Sequence, residues 1–74
     1  MIAMDEDRAR HLVTMALTEL NPHQRQLLIL NEVKQYSVAQ MAVELDLPYT
    51  TVYPRLQRAK KIFHRALDAL LEEA

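Results

Sequence analysis

Glycine is missing from all 74 residues, although average usage near 7% predicts roughly five. Folds built on primed hairpin turns, which need positive φ at their centres, are thereby disfavoured. Cysteine is missing too, which excludes disulfide frameworks, thiolate metal sites and cysteine nucleophiles. No apolar run is longer than Leu27 to Leu30, far short of the ~20 residues that span a bilayer. The N-terminus is acidic where a secretory signal would be basic. No Gly-rich phosphate loop, nucleophile motif or HExxH pairing occurs, and His11, His23 and His64 fall on three different predicted helices, so neither an enzyme nor a metal site is expected. The expectation is one soluble, cytoplasmic domain over residues 1–74, without cofactor or membrane partner.

What is present is apolar periodicity. Half the residues are hydrophobic, ample for a small helical core and too many for a disordered tail. Apolar positions 9, 12, 13, 16, 17 and 20 keep the rhythm of a helix with one buried face, predicting a first helix over about 5–20. Asp5, Glu6 and Asp7 then sit in its first turn, as a solvated start favoured by the helix dipole. Asn21, Pro22 and Gln24 form a start signal for a second helix, Pro22 to about Lys34. Its Leu27-Leu28-Ile29-Leu30 stretch is apolar around more than half the circumference, so this helix is either central or left partly open for a partner. Ser37 with Gln40 makes another capping box for a short third helix over 38–45, and Asp46 tolerates the left-handed conformation of a tight turn over 46–48. A fourth and longest helix follows from about Tyr49 to Leu71. Val52, Leu56, Ala59, Phe63, Ala66, Leu67 and Leu70 repeat along one side, with Pro54, Arg58, Lys61 and Arg65 opposite.

The fold class predicted is therefore all-α: four helices with a helix-turn-helix over about 37–61, no winged elements, and a long C-terminal recognition helix. Formal net charge is −1, which by itself argues against a polyanionic partner. The distribution reverses this. Between Leu47 and Leu67 lie Arg55, Arg58, Lys60, Lys61 and Arg65 with no carboxylate, a candidate phosphate-binding stripe just beyond the turn. Tyr49 and Tyr53 either reach a ligand or cover the gap between the third and fourth helices, and Tyr36 is expected to pack in the core or its loop. Met4 and Met15, with Leu28 and Ile29, offer either ordinary core filling or an adaptable groove for a partner helix.

Three blocks in order carry a family resemblance. Leu20, Pro22, Arg25, Leu27, Leu28 and Leu30 match an "L-P-x-x-R-x-(V/L)-(L/I)-x-L" opening, with Asn21 before the proline. Ser37, Gln40, Met41, Ala42 and Leu45 match "S-x-x-E-(I/M)-A-x-x-L", with Gln40 completing the cap as a glutamate would. Thr51, Val52, Arg55, Leu56, Arg58, Ala59 and Lys60 match "T-V-x-S-R-L-x-R-A-(R/K)". Over about residues 17–65 the chain resembles region 4 of bacterial sigma factors, particularly the extracytoplasmic-function group, and the last block favours this over the four-helix domain of response regulators. The resemblance implies a domain that docks on the flap of the RNA polymerase β subunit and recognises the −35 element of promoter DNA. Tyr49, Thr50, Tyr53 and Pro54 would face base edges, with Arg55 and Arg58 on or near phosphates; Thr51, Lys61 and Arg65 complete the candidate DNA-binding set. Met15, Leu28 and Ile29 would meet a protein partner, either polymerase or an anti-sigma factor. The alternative function is an interaction module, bound by an anti-sigma factor or another helical partner, with little or no DNA reading. Whether as a fragment or a small stand-alone protein, a chain of this extent is not expected to start transcription by itself.

Two departures bear on the reading helix. Tyr53 replaces an often basic residue, and Pro54 stands at the family's common serine. A proline inside a helix removes one hydrogen bond and crowds the carbonyl four residues back, at about 3 kcal/mol. Either the fourth helix kinks near Tyr53, or it restarts with Pro54 in its first turn and Thr51 near the cap. Either outcome would bring residues 48–53 to DNA at an unusual angle and weaken or alter binding.

Overall fold

Asn21 and Ser37 each close a reciprocal cap, and these two caps divide the first half of the chain into its helices. The computed structural model describes residues 6–73, so Asp5 and Met4 of the readings above lie outside the described residues. Helix α1 runs Glu6–Leu17, α2 Pro22–Leu28 with a π-helical continuation Ile29–Val33, α3 Val38–Leu45 and α4 Tyr49–Glu73. No strand occurs among the described residues. The all-α reading and its four helices hold.

The first helix ends earlier than its apolar period, because its last turn tightens. Thr18, Glu19 and Leu20 donate to carbonyls three residues back, each at 3.1 Å, so Leu20 still turns inward and is buried. Across the connection, Arg25 Nη1 donates to the carbonyls of Leu20 at 2.8 Å and Leu17 at 3.3 Å. These are orphan acceptors that the helix end leaves open, and a guanidinium is well suited to them by charge as well as geometry.

At the start of α2, Gln24 N–H donates to Asn21 Oδ1 at 2.8 Å, and Asn21 N–H donates back to Gln24 Oε1 at 3.0 Å. Ser37 and Gln40 repeat the exchange at 3.1 and 2.7 Å. Glutamine completes both boxes, as expected. Between them, the second helix widens. Lys34 N–H reaches the carbonyl of Ile29 at 3.0 Å, five residues back, and Tyr36 N–H reaches Leu30 at 3.0 Å. The chain then reverses at Gln35, φ 60°, and Asn31 Nδ2 holds the carbonyl of Tyr36 at 2.9 Å.

Helix α3 closes in the same manner. Asp46 is left-handed at φ 55° and ψ 46°, with Leu47 N–H donating to Ala42 at 3.0 Å and Asp46 N–H to Val43 at 3.2 Å, a Schellman arrangement. Pro48 then offers its carbonyl to Thr51 and Val52, at 3.0 and 3.1 Å. Helix α4 thus begins at Tyr49 and continues through Pro54 to Glu73. The restart at Pro54 does not occur. Only the first turn precedes this proline, and the Thr50 carbonyl it cannot serve belongs to an exposed residue beside an exposed ring, where water can serve instead.

Helix α4 packs against α1, α2 and α3, so it, not the second helix, is the central element. Two clusters line it. Leu27, Leu30, Met41, Val52 and Leu56 bind α2, α3 and α4 around the corner, with Tyr36 and Leu47 at the margin; Leu20, Leu28 and Ala59 bind α1 and α2 to the middle of α4. No polar side chain is buried among the described residues. Leu28 is therefore a core residue, 5% exposed, which corrects its reading as open partner surface: Leu27, Leu28 and Leu30 turn inward while Ile29 and Val33 stay outside at 42% and 73%.

Gln35 carries the strain that a glycine would relieve, about 1–2 kcal/mol for a side chain in the left-handed region. It is exposed. Gln35→Gly, set against glycine's cost of about 0.4–1 kcal/mol through the unfolded chain, should stabilise the fold by about 0.5–1 kcal/mol. Thermal unfolding followed by circular dichroism should show a rise of about 2–8 °C for a domain of this size, and a fall would mean that the Gln35 side chain contributes more than the backbone strain costs.

Candidate nucleic-acid interface

The third helix and the turn after it lead into the N-terminal end of α4, which buries Val52 and leaves its other side open. Tyr49, Thr50, Tyr53 and Pro54 are exposed there, and Thr51 is half-buried. The rings of Tyr49 and Tyr53 stack on each other, with centroids 6.1 Å apart and planes 11° from parallel, and about half of each residue remains open. The stack restricts two large side chains at the tip of the helix before anything binds.

Behind this tip the cations fall into three placements. Arg58, Lys61 and Arg65 are exposed on the side of α4 opposite Val52, Leu56 and Ala59, as the 100° rotation per residue requires. With Gln24, Gln57, Lys60 and His64 they line one basic groove. Arg55 is exposed as well, but it points along the flank toward α2, where its Nη1 lies 3.4 Å from His23 Nε2. Lys60 is different again: its Nζ is 3.8 Å from Glu32 Oε1, at the far end of the second helix. The run of α4 without carboxylates therefore does meet one in space, and the lysine that meets it borders the basic groove with its charge opposed. His64 makes no ion pair with Asp68 among the described residues and lies against the Phe63 ring, with centroids 5.9 Å apart.

The four residues grouped as a partner groove separate. Ile29 lines an apolar groove with Val13, Leu17, Val33 and Phe63, and buried Leu28 forms part of its floor. Met15, 39% exposed, lies in another depression, between α1 and the distal end of α4 beside Ala66 and Leu70. Val33 was not singled out from the sequence, and Val13 and Phe63 were placed only on the buried faces of their helices. Their exposure depends on where α1 crosses and on the π-helical turn, and neither leaves a mark in residue type. No helix among the described residues is long and apolar enough to cross a membrane, and no cluster of three or more His, Asp or Glu that could hold a metal ion occurs among them.

The sequence model of one protein family, described as Sigma-70, region 4, matches residues 10–63. No curated protein and no solved structure matches the chain. The matched span includes the whole helix-turn-helix, both capping boxes and the cations up to Lys61.

The cation placements are separable on an immobilised polyanion. Arg58→Ala, Lys61→Ala and Arg65→Ala should each elute from heparin at clearly lower salt than the parent chain. Lys60→Ala should shift elution least, because its charge is already opposed by Glu32. Equal shifts for all four would show that Lys60 leaves Glu32 for the polyanion.

Proposed function

Starting from a chain that belongs to the sigma-70 region 4 family, and so has a DNA-binding role in transcription alongside RNA polymerase, we propose that it recognises the −35 element of a promoter. The family is one of DNA-binding domains and not of enzymes. In this reading the tip of α4 enters the major groove, Tyr49, Thr50, Thr51, Tyr53 and Pro54 approach base edges, and Arg55, Arg58, Lys61 and Arg65 neutralise phosphates. The supporting observation is the exposed ridge Arg58, Lys61 and Arg65 placed directly behind a helix-turn-helix corner. Base edges are met by the first turns of a recognition helix, while cations further along or beside it meet the backbone. Such work on the chromosome belongs in the cytoplasm.

Docking on the polymerase β flap is the second half of the proposal. The groove of Val13, Ile29, Val33 and Phe63 supports it, since an apolar trough between helices suits the apolar face of an added helix. Its α4 residue Phe63 stands about 21 Å along the axis from Tyr49 at 1.5 Å per residue, so flap and promoter would be held together. An anti-sigma factor competing for the same trough is the alternative occupant, and it would make the chain an interaction module instead.

Two measurements test these halves separately. Neutralising three to five phosphates gives log affinity against log salt a slope of about −3 to −4.5 on a −35 duplex; a flat response would remove the DNA reading. Ile29→Asp combined with Val33→Asp places charge in the trough without touching α4. It should abolish capture of core polymerase and leave the salt slope unchanged, whereas retained capture would move the docking surface elsewhere.

A further inference from the structure

The tip of α4 has an unusual chemical restriction. At about 100° per residue, Thr50, Tyr53, Pro54 and Gln57 share one face about 100° wide, and all four are exposed. Gln57 has no hydrogen-bond partner within the chain among the described residues, so both its amide donor and its acceptor are available. Guanine is read chiefly by a bidentate arginine or lysine, and cytosine by a carboxylate. None of the four is of either type, and Lys61, which continues the face, stands about 18 Å along the axis from Tyr49 at 1.5 Å per residue. Arg55 lies about 150° around the helix from the centre of the face and is turned toward His23 at 3.4 Å. The next cation, Arg58, begins about 13 Å along the axis from Tyr49 at 1.5 Å per residue. Base edges are met by the N-terminal residues of a recognition helix, here Tyr49 to Gln57, which leaves Arg58, Lys61 and Arg65 for the phosphates.

We propose that this face is an A·T reader: Gln57 pairs its amide with adenine N6 and N7, while Tyr53 and Pro54 pack against thymine methyls and no side chain reads guanine. The inference rests on the −35 reading above and specifies it. Three features support the assignment. Glutamine is one of the two side chains whose amide matches adenine bidentately. The Tyr53 ring is restrained by its stack on Tyr49 at 6.1 Å, so little freedom is lost when it meets a methyl group. The Pro54 ring is rigid, apolar and without an N–H to satisfy, a suitable surface for a methyl and a poor one for a polar base edge. A proline that has no advantage inside a helix thus acquires one at its outer face.

The test is selection of duplexes from a pool with a randomised central block, using the full chain at low salt, followed by base analogues in the enriched site. The expected result is a core of consecutive A·T pairs with no fixed G·C pair. Replacing thymine by uracil removes only the major-groove methyl and should weaken binding about fourfold per contacted methyl. Replacing adenine by 7-deazaadenine should weaken binding by the parent chain but not by Gln57→Ala, whose own loss of adenine preference should be about 5- to 150-fold. Pro54→Ser should lose part of the thymine-over-uracil preference. Both side chains are exposed, and circular dichroism checks that the variants fold. An invariant G·C pair in the core, or uracil and 7-deazaadenine without effect, would overturn the A·T reading while leaving DNA recognition intact. A·T enrichment with both analogues silent would mean that groove width is read instead, and this also overturns it. Salt-dependent binding with no enriched sequence would exclude base reading altogether, and absence of salt-dependent binding would remove the −35 reading and this inference with it.

Discussion

One apolar seam along α4 governs the molecule. Val52, Leu56 and Ala59 are essentially inaccessible, spaced four and three apart, and the other three helices all pack on this helix. The seam fixes the rotation of α4 about its own axis. A slip of one residue would turn it by 100° and carry Arg55 or Lys60 from the flank toward the apolar interior, where an unpaired charge costs several kcal/mol even after relaxation. The same constraint that builds the core therefore holds Arg58, Lys61 and Arg65 on the open side. Core and ridge are two consequences of one helical period.

The corners then fix how the seam is approached, and they do so without glycine. Gln35 and Asp46 occupy the left-handed region that glycine would enter freely. Each is accompanied by hydrogen bonds to the preceding helix, Tyr36 to Leu30 in one case and Leu47 to Ala42 in the other. On the far side of the second corner the Pro48 carbonyl starts α4 at once. Three residues therefore suffice to join α3 to α4. A short, hydrogen-bonded connection leaves little freedom in their crossing, which a rigid presentation of the Tyr49 to Pro54 surface requires. A glycine at either corner would lower the local strain and also widen the conformations open to the unfolded chain.

Most of this architecture is written in short-range sequence signals. Both capping boxes, the limits of α3, the 46–48 turn and the start of α4 at Tyr49 depend on contacts three or four residues apart, and residue type announces them directly. Exposure along α4 follows from its period in the same way, so the placement of Arg58, Lys61 and Arg65 was legible. The features that escaped are those whose partners are distant or whose geometry has no residue signature. The π-helical turn changes which residue accepts a hydrogen bond, not which residues are present. Lys60 is opposed by Glu32, Arg55 is drawn to His23, and Arg25 closes the end of α1; each needs the helices already packed. For the same reason Met15 and Ile29, grouped from the sequence as one surface, belong to two depressions on either side of α1. Gln57 was passed over because a single polar residue on an exposed helix is ordinary until the chemistry of its neighbours is known.

The charge distribution bears on how such a domain would work in the proposed setting. With a formal net charge of −1, the whole molecule is not drawn to a polyanion from afar. Beyond about 10 Å, the Debye length at 0.1 M salt, its acidic and basic regions nearly cancel. Closer in, the ridge dominates on one side only, because Glu32 opposes Lys60 on the α2 side. Charge arranged in this way orients a molecule more than it captures one. Orientation without strong capture suits a module delivered to its site by a larger partner, since a tether supplies effective concentrations in the millimolar range and makes a weak contact sufficient. It also keeps the free chain from occupying DNA indiscriminately. The near-neutral composition is then compatible with nucleic-acid binding: in the proposed setting polymerase would contribute the capture, and the exposed face of α4 the choice of sequence.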